Sequence, residues 1–227
     1  MKALLDRPVW TALATRHKSL GEGTGLARRY RPDILPFAAV EADDPQALAA
    51  LAALARPGET MLFIQADPIV SPSGFEVLTT AAAVQMIAVN VPQAAPDDAV
   101  LPLGESDAEA MLALASLTKP GPFSLKSQEL GRFWGVRQDG RLVAMAGERM
   151  KQPGFTELSG VCTHPDHRGK GYARRLSLHV AGRILAAGDR PYLHAYGSNA
   201  AAIALYEAIG FTLRSPMHVA ALRKPEG

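Results

Sequence analysis

The segment His164-Pro-Asp-His-Arg-Gly-Lys-Gly-Tyr-Ala-Arg174 limits what this chain can fold into more than any other stretch. It follows an apolar, strand-like run, Leu158 to Thr163, and opens an amphipathic run with helical spacing, Tyr172 to Ala187. A glycine-rich turn from a strand into a helix is a cradle for a pyrophosphate. Gly169 and Gly171 let the backbone approach a ligand closely, and the first helical turn offers N–H groups that have no intrahelical partner. The turn is not a Walker loop, because no Gly-Lys-Ser/Thr occurs, nor a dinucleotide fingerprint, which needs a third glycine.

Beyond the helix come a second apolar strand, Pro191 to Tyr196, and then Asn199-Ala-Ala-Ala-Ile-Ala-Leu-Tyr-Glu-Ala-Ile-Gly210-Phe211. The spacing Arg168-x-x-Gly171-x-Ala173, followed by Leu205-Tyr206-Glu207-x-x-Gly210-Phe211, resembles the two signatures of the GNAT superfamily, the acyl-CoA-dependent N-acyltransferases. The resemblance implies an α/β (α+β) fold with a mixed, mostly antiparallel central sheet flanked by helices. It also implies acetyl-CoA, or another acyl-CoA, as co-substrate and an acyl group passed directly to a primary amine.

The same resemblance assigns the site. Arg168, Gly169, Lys170, Gly171, Tyr172, Ala173 and Arg174 are expected to hold the CoA phosphates. Val161, Cys162 and Thr163 are expected to present backbone N–H and C=O groups to the pantetheine amides, with one N–H polarising the thioester carbonyl. Asn199 reads as the N-cap of its helix, and the resemblance also lets it reach the pantetheine or phosphate arm. Arg168, Lys170, Arg174 and Arg175 form a cationic cluster at a helix start, where positive charge opposes the helix dipole; an anion is the reason to keep it there.

An amine attacks a thioester only as the free base, and alkyl ammonium groups titrate near a lysine, at about 10.4. The superfamily places a glutamate near the start of its fourth strand to take that proton, and Glu157 occupies the place. At the end of a mostly apolar strand its pKa is expected to be raised, which suits a base. Glu148, in Ala-Gly-Glu-Arg, is the rival, with an ion pair to Arg149 or Arg141 as its structural alternative. Tyr206 matches the tyrosine that the resemblance makes the acid protonating the departing thiolate; packing on the sheet is its structural alternative. Cys162 invites a covalent route, yet a thiol in a buried strand with no histidine partner evident from the sequence reads as inert packing. His164, His167, His179 and His194 lack metal-ligand spacing, so no metal is expected. The connector Thr118-Lys-Pro-Gly-Pro-Phe123 is expected to overhang the acceptor, with Phe123 shaping access.

The chain of 227 residues is 48% apolar and 20% charged, a balance that suits a globular protein with a proper core. A net charge of +2 without a basic block argues against nucleic acid as the partner. One cysteine excludes an internal disulfide and points to a reducing, cytoplasmic setting. No apolar run approaches membrane-spanning length. Two halves are expected: 1–95, an α/β half whose arrangement resembles glycine N-acyltransferase-like proteins with a reduced GNAT-like first half, and 96–227, the catalytic domain. In the second half the order β, α, α, β, β, β, α, β, α, β is expected, with a capping box at Ser106-Asp-Ala-Glu109 and a hairpin turning at Asp139-Gly140. In the first half, Leu4 to Arg16 and Asp44 to about Ala55 read as helices and Thr60 to Gln65 as a strand. Gly74 to Asn90 is strand-like or helical. An acyl-CoA-binding sensor without catalysis, or a longer acyl donor, would use the same phosphate loop. Nothing in the residues selects among small-molecule and peptide amines, and a homodimer stays open.

Overall fold

The computed structural model describes residues 4–23 and 25–226. The first half contributes α1 (Pro8–Ala14), β1 (Gly21–Glu22), β2 (Ala27–Tyr30), β3 (Ala38–Val40), α2 (Pro45–Leu54), β4 (Thr60–Gln65) and β5 (Glu76–Ala88). The second half contributes β6 (Leu101–Leu103), α3 (Ala108–Thr118), β7 (Phe133–Gln138), β8 (Arg141–Gln152), β9 (Phe155–Thr163), α4 (Tyr172–Ala186), β10 (Arg190–Tyr196), α5 (Ala200–Ala208) and β11 (Phe211–Arg223). Strands β1 to β3 form a small antiparallel sheet, and the other eight form one sheet in the order β4-β11-β5-β10-β9-β8-β7-β6. Neighbours are antiparallel except β9 and β10, which run parallel because α4 crosses between them.

Local chemistry explains most boundaries. Asp44 caps α2, accepting the N–H groups of Gln46 and Ala47, with Pro45 in the first turn. Asp139 and Gly140 both have positive φ, 49° and 77°, as the tight turn from β7 to β8 requires. The expected capping box at Ser106 does not form. The chain makes one 3₁₀ turn, Glu105–Asp107, and Asp107 Oδ2 accepts the Gly104 N–H at 2.8 Å, so α3 starts two residues later than Ser106. The second helix expected before β7 is a single 3₁₀ turn, Ser127–Glu129. The ambiguous stretch Gly74 to Asn90 is strand β5, whose alanine run gives no period to read.

Strand β5 lies between β10 and β11, so the irregular stretch around residue 95 does not separate two sheets. The halves also share a core. Val9, Leu13, Tyr30 and Ile34 pack with Leu130, Met150 and Met217. On the opposite face, Leu176, Val180 and Ile184 of α4, spaced four apart, pack with Val136, Val143 and Leu193. Each such side chain contributes about 1.5–3 kcal/mol by leaving water. Gly210 closes the seam: its φ is +91°, a Cβ there would meet Asn90 O at 2.0 Å, and its carbonyl accepts the N–H of Val89 at 2.9 Å. The glycine of the Leu-Tyr-Glu-x-x-Gly-Phe motif is thus the point where α5 turns into β11 against the end of β5.

Candidate active site

Strands β9 and β10 pair only at Arg190↔Phe155, Pro191↔Thr156 and Tyr192↔Glu157, and then separate. From Leu158 to Thr163 the β9 edge facing β10 has no ladder partner among the described residues, so its backbone groups are available to a ligand lying in the gap. On its other edge β9 pairs with β8, with a register irregularity between Gly147↔Ser159 and Met145↔Cys162. Gly160 sits in that irregularity with φ +65°. Val161 is partly exposed along the gap. Thr163 Oγ1 is buried without a hydrogen-bond partner among the described residues.

The glycine turn closes the wide end of the gap. Gly169 and Gly171 have φ of 77° and 76°, and a Cβ on either would meet nothing within 4 Å. Gly171 is the N-cap of α4, and among the described residues no side chain caps the helix, which leaves the N–H groups of Tyr172, Ala173 and Arg174 without a hydrogen-bond partner there. Arg168, Lys170 and Arg174 are exposed around them. Two members of the expected cluster differ. Arg175 is held by Asp97 through two 2.7 Å hydrogen bonds, and the Tyr172 ring is buried in the core, which leaves only its N–H for a ligand. Asn199 caps α5, its Oδ1 accepting the Ala202 N–H at 3.1 Å, while the residue stays exposed.

The Tyr206 ring is 8% exposed and packs edge-on against Phe211. Its hydroxyl makes no hydrogen bond among the described residues, and burial pushes its pKa up to about 12, so it keeps its proton at neutral pH. Cys162 packs with Met111, Leu142 and Met145, and burial pushes its thiol up to about 11, which leaves almost no thiolate to act as nucleophile.

Glu157 reverses the expectation made for it. It is fully buried and bound on several sides: Arg149 Nε at 2.8 Å and Nη2 at 2.6 Å, the Met150 N–H at 3.3 Å, and His194 Nδ1 at 2.7 Å. Burial alone would raise its pKa, but the Arg149 guanidinium and the His194 hydrogen bond outweigh it and hold the carboxyl well below the usual range. A carboxylate held this way takes protons poorly. The chain continues through Gln85, whose amide donates to His194 Nε2 at 2.9 Å and to the Leu5 carbonyl at 2.9 Å, and whose oxygen accepts from Arg214 at 2.7 Å. His194 therefore carries its proton on Nδ1, as these bonds assign it. Glu148 pairs with Lys151 at 2.7 Å rather than with either expected arginine.

Beside Arg149 lies a small cavity bounded by Pro120, Pro122, Phe123, Ser159 and Gly160. The α3-to-β7 connector thus overhangs the narrow part of the gap, and Phe123 is fixed there by edge-to-face contact with Phe133 at 5.5 Å.

Residues 133–219 match the model of the FR47-like protein family. A protein of solved structure from Novosphingobium aromaticivorans, assigned to the GNAT family of acetyltransferases, is 43% identical, with 98% of this chain and 99% of that one covered and a TM-score of 0.92. The chain belongs to the GNAT family. A GCN5-related N-acetyltransferase from Kribbella flavida superposes over 97% of this chain and 96% of its own with a TM-score of 0.67, and a GNAT-family acetyltransferase from Colwellia psychrerythraea over 88% and 82% with 0.51. At 14% and 12% identity these two show the fold alone. No curated protein matches the chain.

For a GNAT fold the open glycine turn, the uncapped helix and the unpaired β9 edge fit an extended polyanionic thioester such as acyl-CoA. Among the described residues no group of three His, Cys, Asp or Glu could hold a metal, and no helix is long and apolar enough to cross a membrane. The residue pattern alone does not reveal Arg149 and His194 as the partners of Glu157, nor Gln85 behind His194. One signal was present: with the β8-to-β9 turn at Pro153-Gly154, residues 149 and 157 lie roughly equidistant from it on facing strands. Nothing local announces His194 or Gln85.

Proposed function

We propose that this GNAT protein transfers an acetyl or short acyl group from CoA to a primary amine by direct attack. The observation that carries the reading is the parting of β9 and β10 beyond Glu157 and Tyr192, with the uncapped glycine turn at its wide end. The turn from Arg168 to Arg174 holds the phosphates through backbone N–H groups, with Arg168, Lys170 and Arg174 as surrounding charge. The β9 edge at Val161, Cys162 and Thr163 holds the pantetheine amides, with Asn199 near the arm. Tyr206 protonates the departing thiolate; its high pKa keeps the proton available for that step.

The arrangement argues against Glu157 as the base. We assign it to positioning Arg149 and His194, and the amine then reacts from its own free-base fraction, losing its proton to water at the cavity mouth. The same bound state of Glu157 favours a second reading, an acyl-CoA-binding sensor without turnover, which needs the phosphate turn and not the tyrosine. A thiol-release assay with acetyl-CoA over a panel of amino acids, polyamines, aminoglycosides and peptides decides between them. Amine-dependent thiol release is expected; tight CoA binding with no release above the amine-free rate for any amine would establish the sensor.

A further inference from the structure

Arg149 is the cation of the acceptor cavity, and its hydrogen-bonding capacity is only partly used. A guanidinium carries five N–H donors in one plane. Glu157 takes the edge formed by Nε and Nη2, which leaves the edge formed by Nη1 and the outward N–H of Nη2. Nη1 has no hydrogen-bond partner among the described residues and is not sealed in the interior: the side chain keeps 12% exposure and lines the cavity. A Cβ on Gly121 would lie 3.8 Å from Nη1, so a larger side chain at 121 would crowd the edge that glycine leaves open. The plane is fixed on two sides, by Glu157 along one edge and by the Phe37 ring, 5.3 Å away, against its face. A guanidinium held flat with one fork facing a cavity is a receptor for a planar anion. The other residues named around the cavity carry no charge, and the Glu157 charge lies on the far edge, committed to Arg149 and His194.

We propose that this free edge of Arg149 receives a carboxylate of the acceptor, so that the substrates are amines carrying a carboxylate a few bonds from the attacked nitrogen. Ser159 and Gly160 line both the cavity and the start of the β9 gap, so the cavity beside Arg149 adjoins the gap from which an acceptor would meet the thioester. The inference rests on the acyl-transfer reading for its reaction but not for its binding. A charge-assisted hydrogen bond favours acid over amide by about ten- to hundredfold.

The test compares alanine with alaninamide and β-alanine with β-alaninamide as acceptors of the wild-type protein, with rates expressed per free amine. A kcat/KM at least about tenfold higher for one acid than for its amide is expected; equal values for both pairs overturn the proposal. Arg149→Lys keeps a cation beside Glu157 and removes the fork, and should bring the acid-to-amide ratio towards one; an unchanged ratio in that folded variant also overturns it. A second arm needs no turnover: calorimetry on the CoA-bound wild type with N-acetylalanine and N-acetyl-β-alanine, each against its amide. Tighter binding of an acid with no acylation of any amine would sink the acyl-transfer reading and leave the carboxylate site standing. Equal binding, or none by any of the four probes, would sink the site.

Discussion

At the scale of single residues, two buried groups divide the chemistry. Tyr206→Phe removes a hydroxyl that has no hydrogen-bond partner among the described residues, so packing should survive while turnover falls about 100-fold or more and CoA affinity stays within twofold; calorimetry beside steady-state rates checks the split. Turnover within twofold of the parent would reduce Tyr206 to a core residue. Glu157→Gln leaves the Arg149 guanidinium, whose side chain is only 12% exposed, charged without its counterion, and should cost about 3–5 kcal/mol of stability, measured by denaturant unfolding. Because the folded carboxyl titrates below the ordinary range, its stabilisation is present above about pH 4.3, the unfolded value, and fades as pH falls below it. The acylation rate should then keep rising in alkali with the acceptor's own ionisation, with no inflection from a glutamate. His17 adds a second window. Burial first, and then Lys151 and Arg16, lower its pKa to about 4, so the unfolded chain binds a proton between about pH 6.5 and 4 that the folded chain refuses. Stability should drop there by up to about 1.4 kcal/mol per pH unit, a slope that a His17→Gln variant would lack.

At the scale of elements, the start of α4 carries the binding prediction. Gly171 is strained for any β-branched residue because of its positive φ, yet a Cβ would meet no neighbour. Gly171→Val should therefore cost about 1–2 kcal/mol of backbone strain, too little to unfold the chain, while its side chain crowds the approach to the uncapped N–H groups. CoA affinity should fall at least tenfold by calorimetry with the circular dichroism spectrum preserved. Unchanged affinity would remove the glycine turn from the site. These elements were legible in the residues because their causes are local. A turn needs Asp139-Gly140, a helix end needs Asp44 or Asn199, and the period of α4 shows in Leu176, Val180 and Ile184. Strand β5 was not legible, since Ala81, Ala82 and Ala83 suit a strand and a helix equally and only pairing decides.

At the scale of the whole molecule, pairing decides more than the fate of one strand. With β5 inserted between β10 and β11, a chain starting at Pro96 would lose an interior strand and leave the edges of β10 and β11 unpaired. It is expected to aggregate or remain unfolded, whereas the intact chain should melt as one cooperative unit. A soluble, cooperatively melting fragment that binds CoA would show that the first half is dispensable for the site. The polar chain from Glu157 through His194 and Gln85 to Leu5 and Arg214 crosses the same seam, so the N-terminal segment is tied into the acceptor side by hydrogen bonds as well as by the shared core.

Local sequence settled the family, the glycine turn, and the order of the second half apart from the helix expected before β7, because each depends on residues a few positions apart. Only the tertiary structure decided the charge state of Glu157. A lone glutamate near the end of an apolar strand reads as a base with a raised pKa; the same glutamate clamped by Arg149 and His194 is a fixed anion. The difference lies in partners from β8 and β10, which the fold brings within 3 Å and which no periodicity connects.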